Sequence, residues 1–576
     1  MQIRSRLFES SWLVGCLALS SLWCLSAGRE LGATFDEPIY IERGLESWRN
    51  GSHCSLLVLG TMPLPADWDT LPLYLYERWT GTRLDLMHDL GWMLPWARAA
   101  ALVFWWLLVF YGWLTGRALA GAWGGRLAAA ALACEPTLLA HASLATTDIP
   151  LSACLLALVY HFHTGRARAW WPRIGIPGIW LAAALVAKAS AMVFGPLCLL
   201  AVEAHRLLQA RWTAGDPISP ASAAGTIRST LRSSRRDFVH IGIVGCVLMF
   251  VFCGCDRWPE ENFLAWARGL PEGRYHTVMV WLAQHLRVSM NAGDGLVRQV
   301  IHNLHGHNGS FLLGRAYEHP VWYYFPLALA IKLSPPVLAG PAILLALRRR
   351  SVWNWALAPA GMLLLFSLTC RVQIGVRMLL PLVALLVVGL AAAYVSVLRQ
   401  SRPWPRRLGS AACAAALLWT SLSAARVWPD GLCYTNELWG GTRSGYLCLS
   451  DSNYDWGQGL KQLTAWAAER EIGDLDVWYF GTDPAVHTAP FRYVPLHAFP
   501  IDKPDDVRAF VQNRYLAVGT TLLYGTRLDL PGHRAAMEFV GARQPVARTA
   551  TFLIYDLAEP EQNVAARSLP DAPLMR

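Results

Sequence analysis

The chain alternates long runs of apolar residues with short polar segments that are rich in arginine. The apolar runs lie near 7–27, 97–116, 120–141, 149–163, 177–204, 238–254, 321–347, 353–370, 376–398 and 408–427. Each run is compatible with a helix that crosses the ~30 Å hydrocarbon core of a bilayer. The pattern therefore predicts an α-helical polytopic membrane protein.

The run 177–204 needs a separate interpretation. Its 28 residues would make roughly 42 Å of helix, more than one crossing of a ~30 Å core needs and less than two full crossings need. A single crossing would put the arginines between 206 and 236 on the side opposite to the other arginine clusters. We therefore predict two short, tilted helices that meet at Lys188-Ala189-Ser190, and about eleven transmembrane helices in all.

The arginine clusters predict which side of the membrane each segment occupies. They lie at 117–126, 166–173, 206–236, 348–350 and 399–407, and the positive-inside rule places such loops in the cytoplasm. The prediction is a multi-pass protein of the plasma (inner) membrane. Its loops 28–96 and 255–320 and its tail 428–576 would then lie outside the cytoplasm. The first run resembles a signal peptide but is interpreted as an anchor.

Composition and charge agree with this class. The chain is 54% hydrophobic and 16% charged, with a mean hydropathy of +0.30, which is too apolar for an ordinary soluble protein. A net charge of +10 could indicate nucleic-acid binding, but the basic residues lie in short clusters between apolar runs, as membrane topology requires. The lipid bilayer is therefore an expected partner and nucleic acid is not.

The tail differs from the rest of the chain, and we divide the protein into a transmembrane part, 1–427, and a C-terminal part, 428–576. Helix-like segments at 457–470 and near 504–512 alternate with strand-like segments at 477–480, 515–519 and 550–556. This alternation predicts a small extracytoplasmic α/β domain. Cys433 and Cys448 could form a disulfide there.

Three acidic residues, in two short segments, are candidates for chemistry. Asp36 and Glu37 lie directly after the first apolar run and precede Pro38, and Asp148 begins a later run in Thr147-Asp148-Ile149-Pro150. An acidic residue in such a place also serves as the N-cap of a helix, and this alternative stays open.

Four cations are predicted near the same membrane face. The chain has only four lysines against forty-six arginines, so a lysine within an apolar run needs explaining. Lys188 and Lys332 both lie in such runs, and Arg371 and Arg377 flank a short turn. Cations at these depths are expected to face an interior cavity and to pair with acids or a bound anion. The alternative is a set of structural salt bridges with the acids named above.

A metal site has weaker support. His302, His305 and His307 lack the regular spacing of zinc ligands. Asp67-Trp68-Asp69 is a D-x-D sequence, and about one such match is expected by chance in a chain of this composition. The loop 255–320 that holds the histidines has amphipathic stretches at 277–286 and 295–304, which suit helices in the membrane interface. No metal ligands are assigned, although a divalent metal remains open.

Several motifs in order resemble the polyprenyl-phosphate-dependent glycosyltransferases of the GT-C class. These include the protein O-mannosyltransferases and the lipid A aminoarabinose transferases. The motifs are Phe35-Asp36-Glu37-Pro38, Glu135-Pro136 with Ala140-His141 and Thr147-Asp148-Ile149-Pro150, Ala187-Lys188-Ala189-Ser190, Ser310–Gly314, Trp322–Pro326 with Lys332, Ile374-Gly375-Val376-Arg377 with Pro381, and Asp451–Gln458. The resemblance covers about residues 1–460.

The resemblance implies transfer of a sugar from a polyprenyl-phosphate donor to an extracytoplasmic acceptor, a protein, lipid or glycan, with inversion at the anomeric carbon. Asp36 would be the general base, Glu37 would position the acceptor and Asp148 would orient the site. Lys188 and Arg377 would bind the donor phosphate, with Lys332 and Arg371 as further candidates. A polyprenyl phosphate is a good leaving group, so no second acid is needed, unlike the paired carboxylates of glycoside hydrolysis.

Two other functions fit parts of the pattern. A transporter or flippase of a lipid-linked or anionic substrate would also have charges within the membrane. Against it, the halves show no internal repeat and the charged motifs gather on one side. A glycan ligase or polymerase would share the donor class and differ mainly in the size of the donor.

Overall fold

The computed structural model describes residues 2–213, 220–254, 261–285, 290–306, 309–525 and 531–558. Most of them are helical. The helices are α1 Gln2–Glu30, α2 Glu37–Asn50, α3 Cys54–Leu57, α4 Pro63–Thr80, α5 Leu86–Cys134, α6 Pro136–Ala142, α7 Asp148–Gly165, α8 Ile176–Ala187, α9 Ala191–Thr213, α10 Pro220–Cys253, α11 Glu261–Arg268, α12 Arg274–His285, α13 Met290–His305, α14 Tyr324–Lys332, α15 Pro335–Arg348, α16 Leu357–Ser367, α17 Leu380–Gln400, α18 Pro403–Val427, α19 Leu460–Glu469, α20 Val507–Phe510, α21 Thr520–Leu523 and α22 Pro531–Gly541.

Six of the described helices are long and apolar enough to cross a membrane, or seven if one bent pair is counted as a single span. The six segments are Phe8–Glu30, Leu86–Cys134, Ala191–Ala210, Ser234–Cys253, Val376–Gln400 and Pro403–Val427. Two further apolar helices, Trp171–Ala187 and Leu357–Ser367, are shorter. The total of eleven crossings therefore stays a prediction.

Part of the difference arises because α5 contains two helices. Its backbone leaves helical geometry at Ala120 and at Gly121, where φ is 65°. The chain folds back there: a Cβ atom on Gly116 would lie 2.5 Å from the carbonyl oxygen of Gly124, and one on Gly112 would lie 2.3 Å from Leu132. The predicted runs 97–116 and 120–141 are thus separate antiparallel helices, packed closely through glycine.

The predicted break in run 177–204 is confirmed. Helix α8 ends at Ala187, Lys188 is extended with φ −160° and ψ 135°, and α9 begins at Ala191. The far ends of both helices meet again, because Arg166 binds Glu203 at 2.9 Å and also binds Asp237, which accepts a hydrogen bond from Arg173 at 2.9 Å. The two helices therefore run between the same two ends of the bundle.

The run 321–347, predicted as one crossing, forms two helices and not one straight helix. Helices α14 and α15 meet at an angle of 111°. Pro335 and Pro336 follow the break, and the carboxylate of Glu135 accepts hydrogen bonds from the backbone N–H of Ser334 at 3.2 Å and from its hydroxyl at 2.6 Å. A distant glutamate thus caps the start of α15, so the chain bends instead of continuing as one helix.

The arginine clusters lie at one end of the bundle. Helix α7 runs from Asp148 to the Arg166 cluster, and α17 runs from beside Arg377 to Arg399. Arg399 would contact a Cβ atom on Gly121, while Arg117 and Arg126 both pair with Glu9 near the start of α1. Asp148, Lys188 and Arg377 are therefore at the end opposite to these arginines, as the positive-inside argument requires.

Most of the predicted tail elements are found. The strands are β1 Ser310–Leu312, β2 Arg315–Tyr317, β3 Leu475–Trp478, β4 Phe491–Tyr493, β5 Tyr515–Gly519, β6 Ala547–Arg548 and β7 Phe552–Asp556. The last five form one sheet in the order β4-β3-β5-β7-β6, in which β3 is parallel to β4 and β5 while β7 is antiparallel to β5 and β6. Helices α19 and α20 lie near the predicted helical segments.

The separate status of the tail as an extracytoplasmic domain stays a prediction. The possible disulfide between Cys433 and Cys448 is wrong, since both are free thiols. Cys433 is buried and donates instead to the carbonyl oxygen of Tyr454 at 3.2 Å.

The two long extracytoplasmic loops of the prediction contain short helices. Loop 28–96 forms α2, α3 and α4, and loop 255–320 forms α11, α12 and α13. The amphipathic stretches 277–286 and 295–304 correspond to α12 and α13, as far as their residues are described.

Candidate active site

Four of the predicted site residues meet at one end of the bundle. Arg377 Nη1 donates to Asp36 Oδ2 at 2.7 Å and lies 4.0 Å from Asp148 Oδ2. Lys188 Nζ lies 2.5 Å from Asp148 Oδ1. Two carboxylates and two cations, from segments far apart in the sequence, therefore form one alternating cluster.

Interruptions of helices place all four side chains. Asp36 precedes α2, whose second residue is Pro38, and Asp148 is the first residue of α7. Lys188 occupies the break between α8 and α9, and Arg377 lies in a 3₁₀ turn at Val376–Leu379 just before α17. A helix that begins at the cluster leaves its polar terminal residues there and continues as an apolar segment.

Exposure separates the two carboxylates. The Asp148 side chain is 1% exposed and lies between Lys188 and Arg377, whereas the Asp36 side chain is 19% exposed. The phenol of Tyr40, one turn into α2, donates to Asp36 Oδ2 at 3.2 Å. Asp36 is thus the carboxylate that an incoming molecule can reach, and Asp148 holds the cations in place.

The tail forms the cover of this cluster. The guanidinium carbon of Arg377 lies 4.1 Å from the ring centre of Trp456, a cation–π contact. Asn453 accepts from the backbone N–H of Val376 at 2.9 Å, and the Ser452 hydroxyl donates to the carbonyl oxygen of Ile374 at 2.7 Å. A Cβ atom on Gly375 would lie 2.2 Å from the Ser452 hydroxyl, so only glycine permits this approach. The turn that carries Arg377 is therefore fixed by residues 451–456.

The tail also fixes the segment that carries Asp36. The backbone N–H of Phe35 donates to the carbonyl oxygen of Trp456 at 2.8 Å, and Thr482 donates to that of Phe35 at 2.6 Å. Thr482 follows β3, and Thr521, at the carboxyl end of β5, donates to the carbonyl oxygen of Asp455 at 2.7 Å. The carboxyl ends of two parallel strands, the usual ligand-binding edge of an α/β sheet, thus face the cluster.

Asp451 is a third carboxylate near the cluster. It adopts the left-handed conformation, with φ 55°, which aspartate tolerates better than most residues. Burial raises the pKa of Asp451 to about 6, against the opposing influence of Arg377. The sequence motif Asp451–Gln458 contains Asp451, Asn453 and Trp456. Its polar and aromatic residues indicated a functional segment, but their contacts with Arg377 and its turn are visible only in the fold.

Glu37, predicted to position the acceptor, has a different set of partners. Its side chain is 0% exposed and makes a two-bond pair with Arg98, at 2.8 and 2.6 Å. It also accepts from the N–H and hydroxyl of Thr34 and from the N–H of Ala145, each at 2.9 Å. Burial would raise the pKa of Glu37, but the charge and hydrogen bonds of Arg98 lower it. Five hydrogen bonds leave no free oxygen for an acceptor.

The two further candidates for phosphate binding lie apart from the cluster's ion pairs. Lys332 is buried and donates to the carbonyl oxygens of Leu432 and Asn453, each at 2.7 Å. Arg371 is exposed and donates to the carbonyl oxygen of Leu304 at 2.8 Å. Each of these two side chains therefore connects distant segments of the chain through hydrogen bonds to backbone carbonyl oxygens.

The metal candidates give no ligand cluster in the described part of the chain, where no three His, Cys, Asp or Glu side chains are arranged to hold an ion. Asp67 pairs with His53 at 2.8 Å, and His305 is hydrogen-bonded to Ile301 of its own helix. His307 lies outside the described residues.

Comparison with known proteins supports the resemblance. Residues 79–215 match the family model of dolichyl-phosphate-mannose-protein mannosyltransferases, which confirms the resemblance seen in the motifs over that segment. The segment includes Asp148 and Lys188 but not Asp36 or Arg377. No curated protein gives a significant match to the chain.

Two solved structures are similar to this chain. ArnT from Cupriavidus metallidurans bound to undecaprenyl phosphate is 13% identical, with 95% of this chain and 98% of that chain covered and a TM-score of 0.46. The archaeal oligosaccharyltransferase AglB from Archaeoglobus fulgidus, in complex with an inhibitory peptide and a dolichol-phosphate, is 11% identical. The match covers 98% of this chain and 75% of the AglB chain, with a TM-score of 0.44. At these scores the similarities carry no argument about the site.

Proposed function

We propose that the protein is an inverting glycosyltransferase that moves a sugar from a polyprenyl-phosphate donor to an extracytoplasmic hydroxyl acceptor. The observation that carries the proposal is the cluster itself, in which a reachable carboxylate, Asp36, lies beside two cations at the end of the helices opposite to the arginines. A base and an anion site are what this reaction needs. The family-model match to residues 79–215 agrees with it.

In the proposed reaction, Asp36 accepts the proton of the acceptor hydroxyl as its oxygen attacks the anomeric carbon. The new carbon–oxygen bond forms on the face opposite to the phosphate, which inverts the configuration. The old carbon–oxygen bond breaks, and its electron pair leaves with the polyprenyl phosphate. Lys188 and Arg377 stabilise the charge that grows on that phosphate.

The two cations retain hydrogen-bonding capacity for a phosphate. Arg377 Nε is buried and has no hydrogen-bond partner within the described structure. The ammonium of Lys188 has three donors, and its recorded contacts are Asp148 and the sulfur of Met378, at 3.9 Å. A donor phosphate can therefore bind both cations while Asp148 continues to hold them.

Removing either cation should weaken donor binding. Because a hydrogen bond to a charged group contributes about 1.5–3 kcal/mol, Lys188→Ala and Arg377→Ala should each lower the affinity for undecaprenyl phosphate about 10- to 100-fold. The measurement is equilibrium binding to the purified protein in lipid nanodiscs. Lys461→Ala is the matched control, since that lysine is exposed and donates to the carbonyl oxygen of Arg29.

Unchanged affinity in both alanine variants would favour the alternative of structural salt bridges. A loss of thermal stability with unchanged affinity would point the same way. A flippase, in contrast, would bind the lipid but form no glycosidic product in a transfer assay. The position of the cluster at one end of the helices, away from their middle, favours the transferase.

The tail and the cluster should lie outside the cytoplasm. An alkaline phosphatase fused after Arg576 should be active, because this reporter folds only outside the cytoplasm, whereas a fusion after Gln400 at the arginine end should be inactive. The opposite pair of results would reverse the proposed orientation. Mass spectrometry of the glycolipids and glycoproteins of a deletion strain would then identify the acceptor.

A further inference from the structure

His141 is a buried imidazole that none of the roles above uses. It lies next to the last residue of α6 and is 1% exposed. Its Nδ1 atom is buried without a hydrogen-bond partner among the described residues. In comparison, the half-buried His161 contacts the Tyr111 hydroxyl at 3.0 Å and the buried His533 contacts the carbonyl oxygen of Leu522 at 3.0 Å. The buried His205 also has an Nδ1 atom without a partner among the described residues, but its Nε2 contacts the carbonyl oxygen of Trp353 at 3.4 Å.

The surroundings of His141 are those of the cluster. It interacts electrostatically with Asp148, Lys188, Arg377 and Lys332. Its ring makes an edge-to-face contact with Trp456, the residue that covers Arg377, with ring centres 6.5 Å apart. The imidazole therefore lies within the electrostatic influence of both proposed phosphate-binding cations and contacts the ring that covers one of them.

An unpartnered ring nitrogen in such a place is unfavourable for packing alone. A buried polar group without a hydrogen bond destabilises the fold, and a leucine of similar size would avoid that cost. Three more buried atoms in or beside the cluster, Arg377 Nε, the Ser190 hydroxyl and Asp148 Oδ2, also have no hydrogen-bond partner in the described structure. The Arg377 and Ser190 atoms are donors beside two cations, so both can donate to a bound anion.

We propose that His141 is a further donor-binding residue, whose ring N–H donates a hydrogen bond to a phosphate oxygen of the polyprenyl-phosphate sugar. This inference rests on the proposed function. A neutral imidazole carries one N–H in either tautomer, so it adds a directional contact where Lys188 and Arg377 supply charge. The contact would orient the phosphate and strengthen as the glycosidic bond breaks.

The test compares three substitutions by equilibrium binding of undecaprenyl phosphate in nanodiscs. His141→Leu removes the N–H and should weaken binding about 5- to 20-fold, as expected for one hydrogen bond to a charged oxygen. The amide of Asn matches the position of Nδ1 and that of Gln matches Nε2, so one of His141→Asn and His141→Gln should bind within about threefold of the wild type. His161→Asn, far from the cluster, is the control and should bind normally.

Thermal denaturation of the same variants separates binding from folding. Since leucine removes an unsatisfied buried polar group, His141→Leu should melt at or above the wild-type temperature while binding less lipid. Equal binding by His141→Leu and the wild type would overturn the inference, and so would weaker binding in all three variants together with a lower melting temperature. If the wild type itself does not bind undecaprenyl phosphate, the proposed function fails instead.

Discussion

Replacing Asp36 with asparagine should lower sugar transfer by about 10²- to 10⁴-fold, the usual contribution of a general base. Asparagine keeps the shape of the side chain and one oxygen to accept from Arg377, which now donates to Asp36 at 2.7 Å. It cannot accept the proton of the acceptor hydroxyl. The loss should therefore fall on the rate of transfer, with the protein folded and lipid binding kept within a few-fold.

The measurement is transfer from a polyprenyl-phosphate sugar in membranes, normalised to the amount of protein. Glu42→Gln is a matched control on the same helix, because that side chain is 44% exposed and its recorded ion pair, with Arg43, is 3.8 Å long. Transfer by Asp36→Asn at more than a tenth of the wild-type rate would remove Asp36 as the base. Asp148→Asn would then be the next variant to examine.

Replacing Arg98 with leucine should destabilise the protein by about 3–5 kcal/mol, as expected when one partner of a buried ion pair is removed. Glu37, with 0% exposure, would lose two hydrogen bonds and the cation that lowers its pKa, so its buried carboxyl group would be left either unpaired or protonated. Arg98 also donates to the carbonyl oxygens of Gly28, Leu31 and Gly32, so the segment that leads to Asp36 would lose its anchor. Denaturation of the detergent-solubilised protein measures the effect.

Arg43→Leu is the comparison for this result. Arg43 pairs with Glu46 at 2.8 Å but is 37% exposed, and exposed pairs contribute about 0–1 kcal/mol. Glu37→Gln separates the two roles considered for Glu37. Slower transfer with unchanged stability would restore the role in positioning the acceptor, whereas a loss of stability supports the role as an anchor for residues 28–34.

The length of the apolar runs predicts some of the helix breaks and not others. The break at Lys188 follows from the side on which the arginines between 206 and 236 must lie, together with the length of the run, and needs no tertiary information. The run 321–347 has a plausible length for one tilted crossing, so its length gives no sign of the bend between α14 and α15. That bend depends on the Glu135 carboxylate, which is 199 residues away from Ser334 in the chain. A capping contact between such distant residues leaves no local signal.

For the site, charge and helix position predicted Asp36, Asp148, Lys188 and Arg377, and the structure brings these four together. The same rule also selected Lys332, whose partners are backbone carbonyl oxygens. Every residue type has such carbonyls, so the sequence cannot reveal pairs of this kind. Trp456 was missed for a similar reason, since an aromatic ring in the tail carries no charge to connect it with Arg377.

The contact between Trp456 and Arg377 restricts how this protein can be cut or recombined. A truncation after residue 427 would remove the Trp456 ring that packs against the Arg377 guanidinium. It would also remove the hydrogen bonds that hold the turn carrying Arg377. An exchange of tails between related proteins would have to transfer residues 451–521 as a unit, since the Thr521 hydroxyl donates a hydrogen bond to the carbonyl oxygen of Asp455. The segment before Asp36 would have to match the new tail. The tail is therefore not a module that can be exchanged without changes in the transmembrane part.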